Sequence, residues 1–83
     1  MSRRIAIVED EAAIRENYAD VLRKQGYEVQ TYANRKEAMD AFDTRLPNLA
    51  IIDIGLDNEI DGGFTLCQAL RSMSETLPII FLT

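Results

Sequence analysis

Hydrophobic and polar residues follow one another along the chain in blocks whose period changes from strand-like to helical and back. Unbroken apolar runs predict buried strands at Arg4–Val8, at Leu49–Asp53 and at residues 79–83, the last opened by Pro78. Residues 27–33 alternate apolar and polar side chains instead. That alternation predicts a strand with one wetter face, placed near the edge of a sheet.

The first segment of helical period covers residues 11–25. It ends before Gly26, a residue that readily adopts the left-handed backbone found after helices. Apolar residues recur on it at the spacing of one helix face, which predicts the side that packs on the sheet. This stripe comprises Ile14, Tyr18, Val21 and Leu22.

Two further helices are predicted at residues 35–45 and 64–73. Asn34 stands in the N-cap position of the earlier one, and Glu37 lies three residues later, as in a capping box. The later helix follows an acidic, glycine-rich loop at residues 56–63. The expected buried residues are Ala38, Ala41 and Phe42 on the earlier helix, and Phe64, Cys67, Leu70 and Met73 on the later one.

The order β-α-β-α-β-α-β predicts an α/β fold, a doubly wound parallel sheet formed by residues 1–83 as one domain. The last strand has the apolar pattern of a strand with neighbours on both sides, yet no later element follows it. We therefore expect an incomplete domain, the front portion of a larger one, with a naturally small four-stranded protein as the alternative. An open apolar edge also predicts a homodimer formed by pairing or exchange at that strand.

Composition narrows the chemistry. The chain has 83 residues, no histidine and a formal net charge of −5, which argues against a nucleic-acid-binding face on this segment. Without histidine, neither a Ser-His-Asp mechanism nor a histidine-ligated zinc site can be built. Cys67 is the only cysteine, which favours a reducing compartment such as the cytoplasm. No apolar run approaches the roughly 20 residues of a membrane-spanning helix.

Carboxylates follow two of the predicted strands directly. Glu9 and Asp10 come after the first strand and Asp53 ends the third; if those strands are neighbours, the acids meet where the strand order reverses. Two such charges about 5 Å apart repel by roughly 3 kcal/mol, so a proton or a cation must offset them. Oxygen ligands favour Mg²⁺ or Mn²⁺, and the chemistry indicated is phosphoryl transfer with an aspartate nucleophile. Taken alone, Glu9 and Asp10 are more typical of loop or helix-capping acids than of a functional site.

Four motifs together resemble one known family. "IAIVEDE", "LAIIDIGL", "DGG" and "PIIFLT", in this order and at these separations, are similar to the receiver domain of bacterial two-component response regulators. The resemblance covers the whole chain and implies a flavodoxin-like fold of strand order 2-1-3-4-5. The present chain would supply about two-thirds of it, order 2-1-3-4, without the fifth strand and the last two helices.

The resemblance also implies roles for individual residues. Asp53 would accept a phosphoryl group from a histidine of a sensor kinase. Glu9, Asp10 and Asp53 would hold Mg²⁺ together with the backbone carbonyl of Gly55, and Thr83 would be the switch hydroxyl. Such a domain catalyses its own phosphorylation and dephosphorylation and turns over no separate substrate. DNA binding would belong to an output domain outside this segment.

Three departures from the family pattern keep alternatives open. The third strand's loop lacks the usual proline near Leu56, and it is one residue longer than usual. The family's fifth-strand lysine has no counterpart, since Lys24 and Lys36 lie on predicted helices. A degenerate receiver that serves only as a protein interaction module is one alternative. A haloacid-dehalogenase-like phosphatase is another, although Gly55 stands where that family requires a second aspartate.

Overall fold

A computed structural model describes residues 3–53 and 62–82. Four parallel strands form one sheet in the order β2-β1-β3-β4. The strands are β1 (Arg4–Val8), β2 (Glu28–Tyr32), β3 (Leu49–Asp53) and β4 (Ile79–Leu82). This order confirms the predicted doubly wound sheet and the edge position of β2. On β2 Val29 is buried while Glu28 and Gln30 are exposed, in agreement with its alternating pattern.

Three helices connect the strands: α1 (Ala12–Lys24), α2 (Arg35–Thr44) and α3 (Gly62–Met73). Helix α1 ends before Gly26, as predicted, and the φ of Gly26 is +98°. The Gly26 amide donates to the Arg23 carbonyl at 3.0 Å, and the Tyr27 amide donates to the Leu22 carbonyl at 3.2 Å. These two bonds satisfy carbonyls of the last helical turn that would otherwise lack donors. Within the described ranges, no helix combines the length and apolarity that crossing a membrane requires.

The start of α2 confirms the predicted cap. The Glu37 amide donates to Asn34 Oδ1 at 2.8 Å. Glu37 Oε2 in turn accepts from the Ala33 amide at 2.9 Å, one residue before the cap. Such reciprocal bonds satisfy donors that the first helical turn leaves open, and loss of the cap costs about 1 kcal/mol.

The sheet is covered on both faces, and successive residues of β1 and β3 alternate between the two cores. Ile5 and Ile7 of β1 pack with Ala19 of α1, whereas Ala6 and Val8 pack with residues of α2 and α3. The second of these cores, on the α2 and α3 face, is the larger. Its buried members are Ala6, Val8, Ala38, Phe42, Ala50, Ile52, Leu66, Leu70 and Leu77.

Helix α1 corrects the predicted packing face. Ile14, Tyr18 and Val21 are 39%, 42% and 51% exposed, whereas Ala19 is fully buried and Leu22 is half-buried. The face that meets the sheet is therefore turned roughly a quarter of the helix circumference from the apolar stripe. A small alanine allows the helix to lie close to the strands, and among the described residues the stripe itself remains largely in solvent.

Helix α3 also departs from its predicted bounds and face. It begins at Gly62 rather than at residue 64, so its first turn includes glycines that were assigned to the loop. Leu70 is buried as predicted, Cys67 is half-buried, and Met73 is 38% exposed. Leu66, which the sequence did not single out, is fully buried. The side chain of Phe64 lies outside the described residues.

Candidate metal centre

The parallel pairing of β1 with β3 brings the acidic strand ends side by side. Val8 pairs with Ile52, so the next residues, Glu9 directly after β1 and Asp53 at the end of β3, lie at neighbouring positions. One carboxylate oxygen from each of Glu9, Asp10 and Asp53 lies within 4.8 Å of the other two. The structure therefore gathers the three predicted side chains at one point. The two other predicted site residues, Gly55 and Thr83, lie outside the described residues.

Hydrogen bonds to both its backbone and its side chain hold Glu9 in place. Its amide donates to the Tyr32 carbonyl at 3.1 Å, which continues the pairing of β1 with β2 by one residue. Its Oε1 accepts from the Glu11 amide at 3.1 Å. Its carbonyl accepts from Arg15 Nη1 at 2.9 Å. The residue is only 4% exposed.

Burial and neighbouring acids act together on the ionisation of Glu9. Desolvation is the largest cause that raises its pKa, to about 7 from an ordinary value of 4.5. The hydrogen bond from the Glu11 amide works in the opposite direction, and the carboxylates of Asp10 and Asp53 raise the pKa further. The folded chain thus keeps a proton on Glu9 at a pH where most glutamates have lost theirs.

The donor set fits a hard divalent cation. All three ligand atoms are carboxylate oxygens, which Mg²⁺ and Mn²⁺ prefer, whereas zinc sites use histidine and cysteine. Glu9 is buried, Asp53 is half-buried and Asp10 is exposed, so the cluster faces solvent on the Asp10 side. A cation there would replace the proton on Glu9 and relieve the repulsion among the three acids. On that open side it would keep water molecules, as Mg²⁺ usually does in proteins.

Arg15 is the residue at this site that sequence reasoning did not identify. It lies in the first turns of α1 and donates to the carbonyl of Glu9, with its side chain only 16% exposed. Its position in the sequence could have indicated this role, because Arg15 is four residues before Ala19, on the helix face that packs against the sheet. The apolar stripe of α1 instead predicts that a different face of the helix packs on the sheet.

Relatives of the chain are found among curated transcriptional regulators. The chain is 40% identical over 81 residues to the probable transcriptional regulator ycf27 of Cyanophora paradoxa, covering 98% of this chain and 33% of that protein. It is 34% identical over 80 residues to the virulence transcriptional regulatory protein PhoP of Salmonella typhimurium, covering 96% of this chain and 35% of that protein. The chain thus spans about a third of the length of these relatives.

Solved structures share the fold. The response regulator TrrA of Thermotoga maritima, in complex with Mg²⁺-BeF, is 33% identical with a TM-score of 0.87, over 98% of this chain and 69% of that one. The chemotaxis response regulator CheY4 of Vibrio cholerae is 26% identical with a TM-score of 0.88, over 98% of this chain and 68% of that one. The family model of the response regulator receiver domain matches residues 5–83. The chain therefore belongs to the response regulator receiver domain family.

Proposed function

We propose that the chain receives a phosphoryl group on Asp53, in a reaction that depends on Mg²⁺ or Mn²⁺ at Glu9, Asp10 and Asp53. The observation that carries this proposal is the convergence of the three carboxylates, whose ligand oxygens lie within 4.8 Å of one another. The T. maritima relative, which is 33% identical, was solved in complex with Mg²⁺-BeF, and this supports the choice of cation.

Each acid then has a distinct part in the transfer. An oxygen of Asp53 forms a bond to phosphorus while the bond from phosphorus to the donor's nitrogen breaks, and the histidine of a sensor kinase keeps the electron pair. Glu9 and Asp10, at the end of the neighbouring strand, would hold the divalent cation beside Asp53. A bound Mg²⁺ would offset the charge of the acids and of the incoming phosphoryl oxygens. We assign the backbone carbonyl of Gly55 as a further ligand of the metal and the hydroxyl of Thr83 as the switch hydroxyl.

The wider role of the protein follows from the same proposal. The chain catalyses its own phosphorylation and loses the group by hydrolysis, so it is a signalling domain and not an enzyme with a separate substrate. Residues 1–83 would form the front of one receiver domain that fifth-strand and helical elements complete. The relatives' names indicate transcriptional output, so DNA binding would belong to another domain. A sensor histidine kinase is the proposed partner, and the cytoplasm is the proposed compartment of the chain.

We also propose that the 83-residue segment pairs with a second copy through β4. This strand is the last in the described sheet, and Ile80 on it is 50% exposed. An exposed apolar edge strand has unpaired backbone groups along one side, which favour association. Sedimentation of the segment is expected to give a dimer. A monomer with native circular dichroism at high concentration would contradict this pairing.

Labelling of the intact protein with acetyl phosphate tests the phosphoacceptor. We expect one Mg²⁺-dependent phosphoryl group per chain, detected by intact mass, and its complete loss in Asp53→Asn. Asp43→Asn, which changes an exposed acid on α2, is the matched control and should label normally. Continuous release of phosphate would indicate a phosphatase, and no labelling at all would indicate a degenerate interaction module. Unchanged labelling of Asp53→Asn would remove Asp53 from its assigned role.

A further inference from the structure

The positively charged side chain of Arg15 lies, largely buried, beside the backbone of the acidic cluster. Arg15 Nη1 donates to the Glu9 carbonyl at 2.9 Å, and Arg15 Nε lies 3.7 Å from Glu16 Oε1. The Arg15 side chain is 16% exposed, whereas that of Glu16 is 56% exposed. The guanidinium is therefore packed against the turn between β1 and α1, and its ion pair is on the solvent side.

The bond to the Glu9 carbonyl constrains both acids of the pair. A peptide unit is planar, so the plane that contains the Glu9 carbonyl also contains the nitrogen and Cα of Asp10. Arg15 thereby fixes the orientation of the plane that joins Glu9 to Asp10. The Glu9 amide and Oε1 are held separately, by Tyr32 and by Glu11. Loss of the Arg15 bond would leave the direction of Asp10 less defined while Glu9 stays anchored.

Arg15 carries a permanent positive charge as well, and this charge acts in the opposite direction on a bound cation. As a charge it would repel Mg²⁺ and weaken binding, whereas as a hydrogen-bond donor it strengthens binding by holding the ligands in place. Glu16 lies beside the guanidinium and offsets part of its charge, and solvent around Glu16 screens the remainder. The hydrogen bond to Glu9 is partly buried.

We propose that Arg15 is a positioning residue that pre-orders Glu9 and Asp10 for a divalent cation. The inference rests on the proposed function for the identity of the ligand, and on the described hydrogen bond for the role of Arg15. Preordered ligands bind a metal more tightly because less conformational freedom is lost on binding. Arg15 needs no contact with the cation itself to have this effect.

Mg²⁺ titration of the intact protein, followed by backbone amide chemical shifts in nuclear magnetic resonance spectra, tests the proposal. Arg15→Met keeps the length of the side chain but removes the donor and the charge, and we expect Mg²⁺ binding about fivefold weaker than in the wild type. Arg15→Lys keeps both and should remain within about twofold. Arg23 donates to the Val29 carbonyl at 3.1 Å from the far end of α1, so Arg23→Met is the matched control and should bind Mg²⁺ normally.

Each other outcome overturns the proposal in a recognisable way. Tighter binding by Arg15→Met would show that charge repulsion dominates, and unchanged binding would reduce Arg15 to a support for the helix. If Arg15→Met does not fold, Arg15→Gln takes its place with the same expected direction. Failure confined to the Arg15 variants overturns this inference alone. A wild-type protein without Mg²⁺-dependent shifts would overturn the proposed function and this inference with it.

Discussion

The two ends of the central strands are built in contrasting ways from the same backbone. At the amino end, the Arg4 amide donates to Asn48 Oδ1 and the Asn48 amide donates to the Arg4 carbonyl, both at 2.8 Å. The Arg4 side chain donates to the Leu46 carbonyl. At the carboxyl end, three carboxylates share one small region. At the amino end, each of these hydrogen-bond donors has an acceptor. At the carboxyl end, three groups that carry the same charge lie together.

Within the same strands, the amino ends contribute stabilising hydrogen bonds and the carboxyl ends hold the chemically active side chains. Hydrogen bonds at the amino end tie β1 to the residue before β3, in the same register that places Glu9 next to Asp53. The carboxyl end then uses that register to hold side chains that repel one another. Sites in open α/β sheets lie at this end because strand-end side chains converge there without being covered by the sheet. The packing of the hydrophobic core offsets the unfavourable free energy of this repulsion.

Removing the charge of Glu9 is expected to produce the largest effect. The unfolded chain ionises Glu9 near its ordinary pKa of 4.5, whereas the folded chain retains the proton to about 7. The stability that this group contributes is present below pH 4.5 and is lost as the pH rises through 7. Without metal at pH 8, Glu9→Gln should therefore be more stable than the wild type by about 3 kcal/mol, measured by urea unfolding.

Two comparisons make that measurement decisive. At pH 4 the free energies of unfolding of Glu9→Gln and the wild type should nearly coincide, because Glu9 is protonated in both states. Glu28→Gln removes one negative charge from the exposed end of β2 and controls for the change in net charge. A Glu9→Gln variant that loses stability between pH 4 and pH 8 as the wild type does would contradict the assignment.

A smaller effect is expected from pH on Mg²⁺ binding by the wild type. Mg²⁺ and a proton compete for Glu9, whose pKa is about 7, so the affinity should fall as the pH is lowered. Between pH 8 and pH 6 we expect binding to weaken about tenfold, measured by calorimetry. In Glu9→Gln this dependence should be largely lost. Equal affinity of the wild type at the two pH values would remove Glu9 from the ligand set.

The smallest effect is expected at the opposite end of the strands. Asn48→Ala removes the acceptor for the Arg4 amide and should lower the free energy of unfolding by about 1 kcal/mol. Mg²⁺ affinity should not change, because the site lies at the other end of the sheet. Asn48→Asp retains an oxygen acceptor and should restore most of the loss. A large change in Mg²⁺ affinity in Asn48→Ala would show that the two ends are not independent.

The strands could be predicted from the sequence because their cores are unambiguous. β1 and β3 have the predicted bounds, since each apolar run is buried on both faces and leaves no alternative register. The fold class followed from the order of elements. The placement of Glu9, Asp10 and Asp53 followed in turn, because the carboxyl ends of neighbouring parallel strands meet at one edge.

The helix faces could not be predicted as well. Ala19 contributes little to a hydrophobic pattern, yet it is fully buried because its small side chain allows close approach to the sheet. The bulky Ile14, Tyr18 and Val21 dominate the pattern and are exposed. Gly62 belongs to the predicted glycine-rich loop, but it opens α3. Propensity and period are weak where tertiary packing decides.

The fine arrangement of the site depended on contacts between residues that local patterns do not reveal. The burial of Glu9 follows from its bonds to Tyr32 and Glu11, one of them on another strand. The contact of Arg15 with the Glu9 carbonyl depends on which face of α1 meets the sheet. Since that face was predicted wrongly, the role of Arg15 could not be inferred.

The hydrogen bond from the Glu9 amide to the Tyr32 carbonyl gives the acidic residue a second connection, toward the outer strand. The ring of Tyr32 meets that of Phe42 edge to face, with centroids 5.5 Å apart at 77°. A backbone displacement at Glu9 would thus alter the position of an aromatic pair that joins β2 to α2. The acidic residue and the helix that packs on the sheet through Phe42 are thus connected by one backbone hydrogen bond and one ring contact.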